Sequence, residues 1–285
     1  MTLQPPDLSE AKRLHAAGMK LVKLKHNSKQ PIGNGWNLSH ARQIDEDATG
    51  YGIPLAPNNL MSIDPDHEAA ARAGLAAWGI DYDELLNSGA RTVSTRPDSG
   101  GRSVFAADPD NKCRWLTING FDSSGGGVTL LELRAKSANL QDVVPGIVYQ
   151  GHDGGLYTQQ YANEHRLDNP PQLPAQFLQL WREMSLDNDL FRQRVKQFVA
   201  AVAAAGVTLP DGSLPTYRAP LGGPDAAGNL SLAFPSKIRV KFNSMNDARE
   251  IMERHGYTRH GKGNNERWAH SRATGSPAIR LIAGK

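Results

Sequence analysis

Apolar positions recur along this chain at two spacings, and the changes between them mark out its elements. Helical spacing appears at 7–18, with Leu8, Leu14 and Ala17 on one side and Gly18 as a stop. It returns at 68–78, an alanine-rich run without proline, and after a break at 82–86. A short helix is also expected at 41–48. Two longer helices follow residue 170: 173–184, carrying Phe177, Leu178, Leu180 and Trp181, and 190–205, carrying Phe191, Val195, Phe198, Val199 and Val202. Between the helices, short apolar runs bounded by Gly, Pro, Asn and Asp read as strands at 19–24, 51–55, 59–63, 92–94, 102–106, 115–118, 128–133, 143–149 and 156–161. The turn at 96–101 joins two of them as a hairpin. Helices mixed with hairpin-like strands predict an α+β fold around a mixed or antiparallel sheet, not a parallel dinucleotide-binding sheet.

The texture divides the chain into a strand-rich part at 1–169, a helical part at 170–210, a Gly/Pro-rich connector at 211–236 and a basic α/β module at 237–285. Strand pieces are expected at 230–242, across the end of the connector, followed in the last module by a helix at 245–255 and short strands at 257–259, 267–270 and 278–282. No internal repeat is visible. With 285 residues, 39% of them hydrophobic, the chain can bury a sizeable core. The single cysteine, Cys113, excludes an internal disulfide and a cysteine-based zinc site. No apolar run is long enough to span a membrane, so a cytoplasmic protein with no membrane partner is expected. The net charge of +3 says little, but its distribution says more. From residue 237 onward eleven Lys and Arg face four Asp and Glu, a net of +7. A phosphate backbone would suit such a tail, and so would plain solvation.

Three stretches carry candidate chemistry. Asp64 and Asp66 close the apolar strand 59–63. At i and i+2 of an extended chain their Cβ atoms share a face, roughly 6–7 Å apart. Such a pair can share divalent cations, and its hard oxygens suit Mg²⁺ or Mn²⁺. The same letters also make an acidic turn, and Asp108–Pro109–Asp110 repeats them. The second stretch is Ser99, Gly100, Gly101, Arg102 and Ser103, whose amides, hydroxyls and guanidinium can hold phosphate oxygens or simply form a hairpin turn. In the third, Glu132 and Arg134 share one strand face opposite Leu131 and Leu133, either completing a metal site and clamping a triphosphate or pairing at the surface. Lys23, Lys25 and Lys29 with Trp36 form a loop that meets phosphates or solvent. His152 and His165 read as surface histidines. No P-loop, HExxH or glycine fingerprint is present.

The order of these pieces resembles the primase-polymerase (prim-pol) domains of the archaeo-eukaryotic primase superfamily, and more closely the bifunctional primase/polymerase of phage and plasmid replication proteins. The resemblance rests on Gly35–Trp36, the strand 51–55, Asp64–Pro65–Asp66, Thr92–Val93–Ser94–Thr95 with the 99–103 hairpin, Glu132–Leu133–Arg134, Val143–Val144–Pro145 and Tyr157, over about residues 10–165. In the tail, Glu253 to Tyr257 and Trp268 are similar to the segment that follows such domains in primase-helicase proteins.

The resemblance implies a prim-pol catalytic core with an RRM-like element, then a helical subdomain and a small basic α/β tail. It implies primer synthesis or extension from nucleoside triphosphates on a single-stranded DNA template, with a replicative helicase as a further partner. Asp64, Asp66 and Glu132 would hold Mg²⁺ or Mn²⁺. Ser99, Gly100, Gly101, Arg102, Ser103 and Arg134 would bind phosphates. Lys23, Lys25, Lys29, Trp36, Arg259, Lys262, Arg267 and Trp268 would touch nucleic acid. One departure stands out: the family has a phosphate-contacting histidine where this chain has Ser103, which carries no positive charge. Arg102, Arg134 or a lysine of the 23–29 loop is expected to compensate. An inactive single-strand-binding module and a metal-dependent nuclease are the competing readings. Without a helicase P-loop, the chain is expected to be a stand-alone primase or a piece of a larger replication protein.

Overall fold

The computed structural model describes residues 6–96, 101–137, 139–151 and 153–218, together with the backbone of 257–260, 267–270 and 279–280. The chain separates into two compact units, Met1–Arg218 and Ala219–Lys285.

The first unit is built on a seven-stranded antiparallel sheet. Its strands are β3 (Leu60–Asp64), β4 (Ala90–Ser94), β5 (Arg102–Ala106), β6 (Leu116–Phe121), β7 (Gly127–Arg134), β9 (Val148–Gln150) and β10 (Leu156–Tyr161), in the order β6-β7-β3-β5-β4-β10-β9. A smaller sheet joins β1 (Val22–Lys23), β2 (Tyr51–Pro54) and β8 (Gln141–Val143), also antiparallel. Strand alternation gives the large sheet two different faces. Met61, Ile63, Phe105, Leu131 and Leu133 enter one core with helices α2 (Glu68–Ala76), α3 (Tyr82–Asn87), α4 (Ala175–Leu186) and α5 (Asn188–Ala204). Leu60, Ala90 and Val104 enter a second core with helix α1 (Ser9–Ala16), the small sheet and Leu140 and Val144. The sheet is therefore the middle of three layers, as the α+β reading expects.

The helices are fixed by local chemistry as well as packing. Asp81 caps α3 by accepting from the Glu84 amide, and Asp187 ends α4 while capping α5 through the Asp189 and Leu190 amides. α2 lies against α5 where Gly74 leaves room: a Cβ there would sit 2.3 Å from the Phe198 ring. Trp181 is fully buried, and its indole N–H donates to the Arg114 carbonyl.

Two expected elements differ. Residues 41–48 form no helix. Their polar groups are drawn into tertiary contacts, with the Ala41 amide on the Leu21 carbonyl and Asp45 and Asp47 both paired with Lys23. The expected strand 143–149 is two strands in two sheets. Pro145 and Gly146 separate them, with Gly146 at φ +93°, a conformation open chiefly to glycine. The connector approaches the β6–β7 hairpin through a bridge between Thr216 and Phe121.

In the second unit, β11 (Tyr257–His260), β12 (Arg267–His270) and β13 (Ile279–Arg280) form an antiparallel sheet in sequence order. The expected strands at 230–242 and helix at 245–255 lie outside the described residues. Among the described residues no helix is long and apolar enough to cross a membrane.

Candidate active site

Three central strands assemble the acids. β3 pairs with β7 so that Asp64 stands directly opposite Glu132 and Ser62 opposite Arg134. On its other side β3 pairs with β5, with Ile63 opposite Ser103. Continuing that antiparallel register sets Asp64 beside Arg102. Asp64, Glu132, Arg134 and Arg102 thus share the sheet face opposite α2, α3, α4 and α5. Asp66 follows two residues after Asp64, where the chain turns into α2. A bulge in β7 helps to hold that turn: the register shifts after Ile118, and the Leu130 carbonyl accepts the His67 amide. His67 then caps α2, its Nδ1 accepting from the Ala70 amide. Its Nε2 therefore carries the proton and donates to the Thr208 carbonyl at 3.2 Å.

Among the described residues, Asp64, Asp66 and Glu132 are the group placed to hold a metal ion, each offering a carboxylate oxygen within 4.8 Å of the others. Asp64 and Glu132 are half-buried and Asp66 is exposed. Partial desolvation and then the negative charges of Asp64 and Glu132 push the Asp66 carboxyl up to about 7. Three hard oxygen donors with mutual repulsion fit Mg²⁺ or Mn²⁺ by their chemistry.

The arginines are engaged at the same place. Arg102 donates one arm to Asp64 and the other to Asp142 at 2.6 Å. Arg134 donates to Asp142 and, at 3.0 Å, to the Gln141 carbonyl. It also lies 3.7 Å from Asp64 and 3.6 Å from Glu132. Asp142, from β8 of the small sheet, sits buried between the two guanidiniums. Burial opposes its ionisation, but Arg102 and Arg134 outweigh that and hold its carboxyl below the usual range. The sequence reading missed Asp142. Its signal was weak, a carboxylate just before the apolar pair Val143–Val144 and beside the polar Gln141.

The remaining expected residues are placed as follows. Ser103 is fully buried on the helix side, its hydroxyl donating to the Leu86 carbonyl at 2.7 Å. As the immediate neighbour of Arg102 on a strand it must face the other way, so it is not available to phosphates on the acid face. Arg134 is buried and spends its donors on Asp142 and Gln141. It underpins the acids and does not reach outward as a clamp. Gly101 opens β5 at φ +74°, where a Cβ would meet the Thr92 carbonyl oxygen at 2.7 Å. Ser99 and Gly100 lie outside the described residues.

Of the loop lysines, Lys23 pairs with Asp45 and Asp47, and Lys25 donates to Gln30. Lys29 alone of the three reaches toward the site. Its Nζ stands 4.0 Å over the Tyr149 ring centroid, and the Lys29 carbonyl accepts from Gln141. Although the residue as a whole is exposed, crowding around Nζ and then the charges of Arg102 and Arg96 lower its pKa to about 8. Trp36 is half-buried in the same loop. Arg259, Arg267 and Trp268 fall on β11 and β12, and Lys262 lies outside the described residues.

Comparison with curated proteins finds no match. The family described as bifunctional DNA primase/polymerase, N-terminal (Prim-Pol) matches residues 11–176, more than half of the chain. That stretch contains every strand of the seven-stranded sheet and all three clustered acids. The chain belongs to the Prim-Pol family of bifunctional DNA primase/polymerase N-terminal domains.

Proposed function

We propose that this chain is a template-dependent DNA primase/polymerase that makes or extends primers from nucleoside triphosphates, with Asp64, Asp66 and Glu132 as its metal ligands. The observation that carries the reading is the meeting of these three carboxylates within 4.8 Å of one another, two from paired strands and one from the turn into α2. Divalent cations held there would activate the attacking hydroxyl and neutralise the leaving pyrophosphate. The chain's own contribution is position and charge. The paired strands β3 and β7 fix Asp64 and Glu132 rigidly, and the start of α2 brings Asp66 to them. Lys29, which makes no ion pair among the described residues, is the cation free to meet the triphosphate, with Arg96 nearby. Gly101 permits close backbone approach at the hairpin, and Ser99 and Gly100 are assigned to the same phosphate contact. The basic module at 237–285, with Arg259, Lys262, Arg267 and Trp268, is assigned to the single-stranded template because of its charge excess. A role in phage or plasmid replication, beside a helicase, follows from the family resemblance.

The test is incubation with a single-stranded template, Mg²⁺ or Mn²⁺ and labelled nucleotides. Incorporation is expected, and its loss in the double variant Asp64→Ala, Asp66→Ala. Salt-dependent binding without incorporation would assign the chain to an inactive binding module. Degradation of the template without triphosphates would make it a nuclease.

A further inference from the structure

We infer that Asp142 is a positioning residue that draws one arm of Arg102 away from Asp64 and keeps Arg134 from closing onto the metal-binding carboxylates. The inference rests on the proposed metal site and adds a residue that reaches no substrate itself.

Each guanidinium faces two sets of carboxylates. Arg102 divides its two arms between Asp64 and Asp142. Arg134 directs Nη1 to Asp142, while the same Nη1 is 3.7 Å from Asp64 and its Nε is 3.6 Å from Glu132. Asp142 therefore competes with the metal-facing acids for both arginines, from the buried side. Its side chain is only 4% exposed, so water cannot take over its role. Arg134 is scarcely more accessible, at 9%. A buried guanidinium that loses its counter-charge must find another close by, because an unpaired buried charge is costly. The nearest alternatives are Asp64 and Glu132. Without Asp142, Arg134 would turn onto those oxygens and Arg102, already on Asp64 through one arm, would hold it with both, so that the two would stand where a cation must bind.

The placement of Asp142 supports the same conclusion. It arrives from β8 of the small sheet, opposite Ile53 of β2, so it is anchored independently of the strands that bear the acids. The Gln141 carbonyl beside it accepts a further Arg134 donor at 3.0 Å, which fixes the direction of that guanidinium. A simple surface ion pair would need neither the burial nor two arginines on one carboxylate oxygen.

The experiment is Mn²⁺ binding to the full chain, without nucleotide, followed by the electron paramagnetic resonance signal of free Mn²⁺. Asp142→Asn preserves shape and removes the charge. It is expected to weaken Mn²⁺ binding by about tenfold or more, the usual size of an outer-shell effect. Adding Arg134→Gln to Asp142→Asn is expected to recover part of that loss, because one displaced cation is gone. A purely structural role predicts the opposite, with the second substitution adding to the damage. Arg102→Gln in the otherwise unaltered chain is expected to tighten Mn²⁺ binding, and it keeps the test decisive should Asp142→Asn fail to fold. A folded Asp142→Asn variant that binds Mn²⁺ like the wild type would overturn the inference. So would an Arg102→Gln variant with unchanged or weaker binding. If the wild type itself binds no Mn²⁺, the metal-site reading fails and takes this inference with it; wild-type binding with an insensitive Asp142→Asn variant removes this inference alone.

Discussion

Restoring the family's histidine at position 103 is the perturbation that best separates strand geometry from motif resemblance. Motif logic says that Ser103→His should regain a phosphate contact and improve activity. The structure says otherwise. Ser103 is fully buried, its hydroxyl is 2.7 Å from the Leu86 carbonyl, and Gly89 packs so close that a Cβ there would lie 2.5 Å from Ser103 Oγ. An imidazole has no room in that space. Overpacking a well-filled core costs about 1–3 kcal/mol. Loss of the hydroxyl-to-carbonyl bond adds about 1 kcal/mol. The sum, about 2–4 kcal/mol, corresponds to a fall in Tm of roughly 5–15 °C for a unit of this size. Thermal unfolding followed by circular dichroism reads the first quantity, and nucleotide incorporation at varied triphosphate concentration reads the second. Ser103→Ala, which only deletes the hydroxyl, should cost about 1 kcal/mol and leave KM for the triphosphate unchanged. If Ser103→His kept the wild-type Tm and raised kcat/KM, residue 103 would have to face the acids, and the register of β3 on β5 described above would be wrong.

Three further outcomes follow from the charge pattern. Asp108 is opposed by burial, but Arg182 and the amides of Cys113, Lys112 and Asp110 hold its carboxyl well below the usual range. A depressed folded-state pKa contributes stability that is complete above the unfolded value, about 4, and is lost as pH falls toward the folded one. Urea midpoints of the wild type should therefore drop in acid, while Asp108→Asn should lack that component and be less stable by about 2–4 kcal/mol at neutral pH. Asp66 has the opposite sign: with its carboxyl raised to about 7, the metal-free protein should lose stability as pH rises from the unfolded value through that point. Mn²⁺ affinity should rise over the same range, since the ligand must be ionised, and a flat affinity between about pH 5 and 8 would contradict this. Lys29→Met should raise KM for the triphosphate by about tenfold or more while leaving nucleotide-free Mn²⁺ binding no weaker; weaker Mn²⁺ binding would place Lys29 in a different role.

Much of the fold was legible because it follows from period. The strands at 102–106 and 156–161 coincide with β5 and β10, and the helices at 68–78 and 190–205 differ from α2 and α5 only near their ends. The helix expected at 41–48 failed because its polar residues serve partners distant in sequence, which no local pattern reveals. The strand at 143–149 failed because an apolar run does not say which sheet each part joins, and Pro145 with Gly146 was the punctuation that decided it. Asp64 and Glu132 were legible because one ends and the other lies within an apolar strand, and Asp66 because it follows Asp64 at i+2. Ser103 was misread although the rule that placed Glu132 and Arg134 on one face, applied to Arg102 and Ser103, would have set those two apart. The repeated tripeptide was resolved by its partners. Asp108 is a buried loop acceptor for backbone amides and Arg182, whereas Asp64 faces arginines and other acids.

The middle of a sheet is a costly place for charge, and the arrangement there has a definite logic. Asp64, Asp66, Glu132 and Asp142 face Arg102 and Arg134, so the cluster holds more carboxylates than guanidiniums. The surplus is not spread evenly. Asp142, the most buried acid, touches both arginines, and its carboxyl is held below the usual range. Asp66, the most exposed, forms no ion pair among the described residues, and its carboxyl is raised toward neutrality. The network thus neutralises itself from the inside outward and leaves its unbalanced charge at the solvent edge. Under the proposed function, a divalent cation arriving from solvent would meet that imbalance first at Asp66 and relieve repulsion between carboxylates there, leaving the pairs that Asp142 makes intact. Two arginines placed to grip phosphate directly would have left four acids uncompensated in the sheet. Their commitment to Asp142 and Asp64 is what allows the acids to stand so close, and under the proposed function it leaves the phosphate contact to Lys29, which forms no ion pair among the described residues.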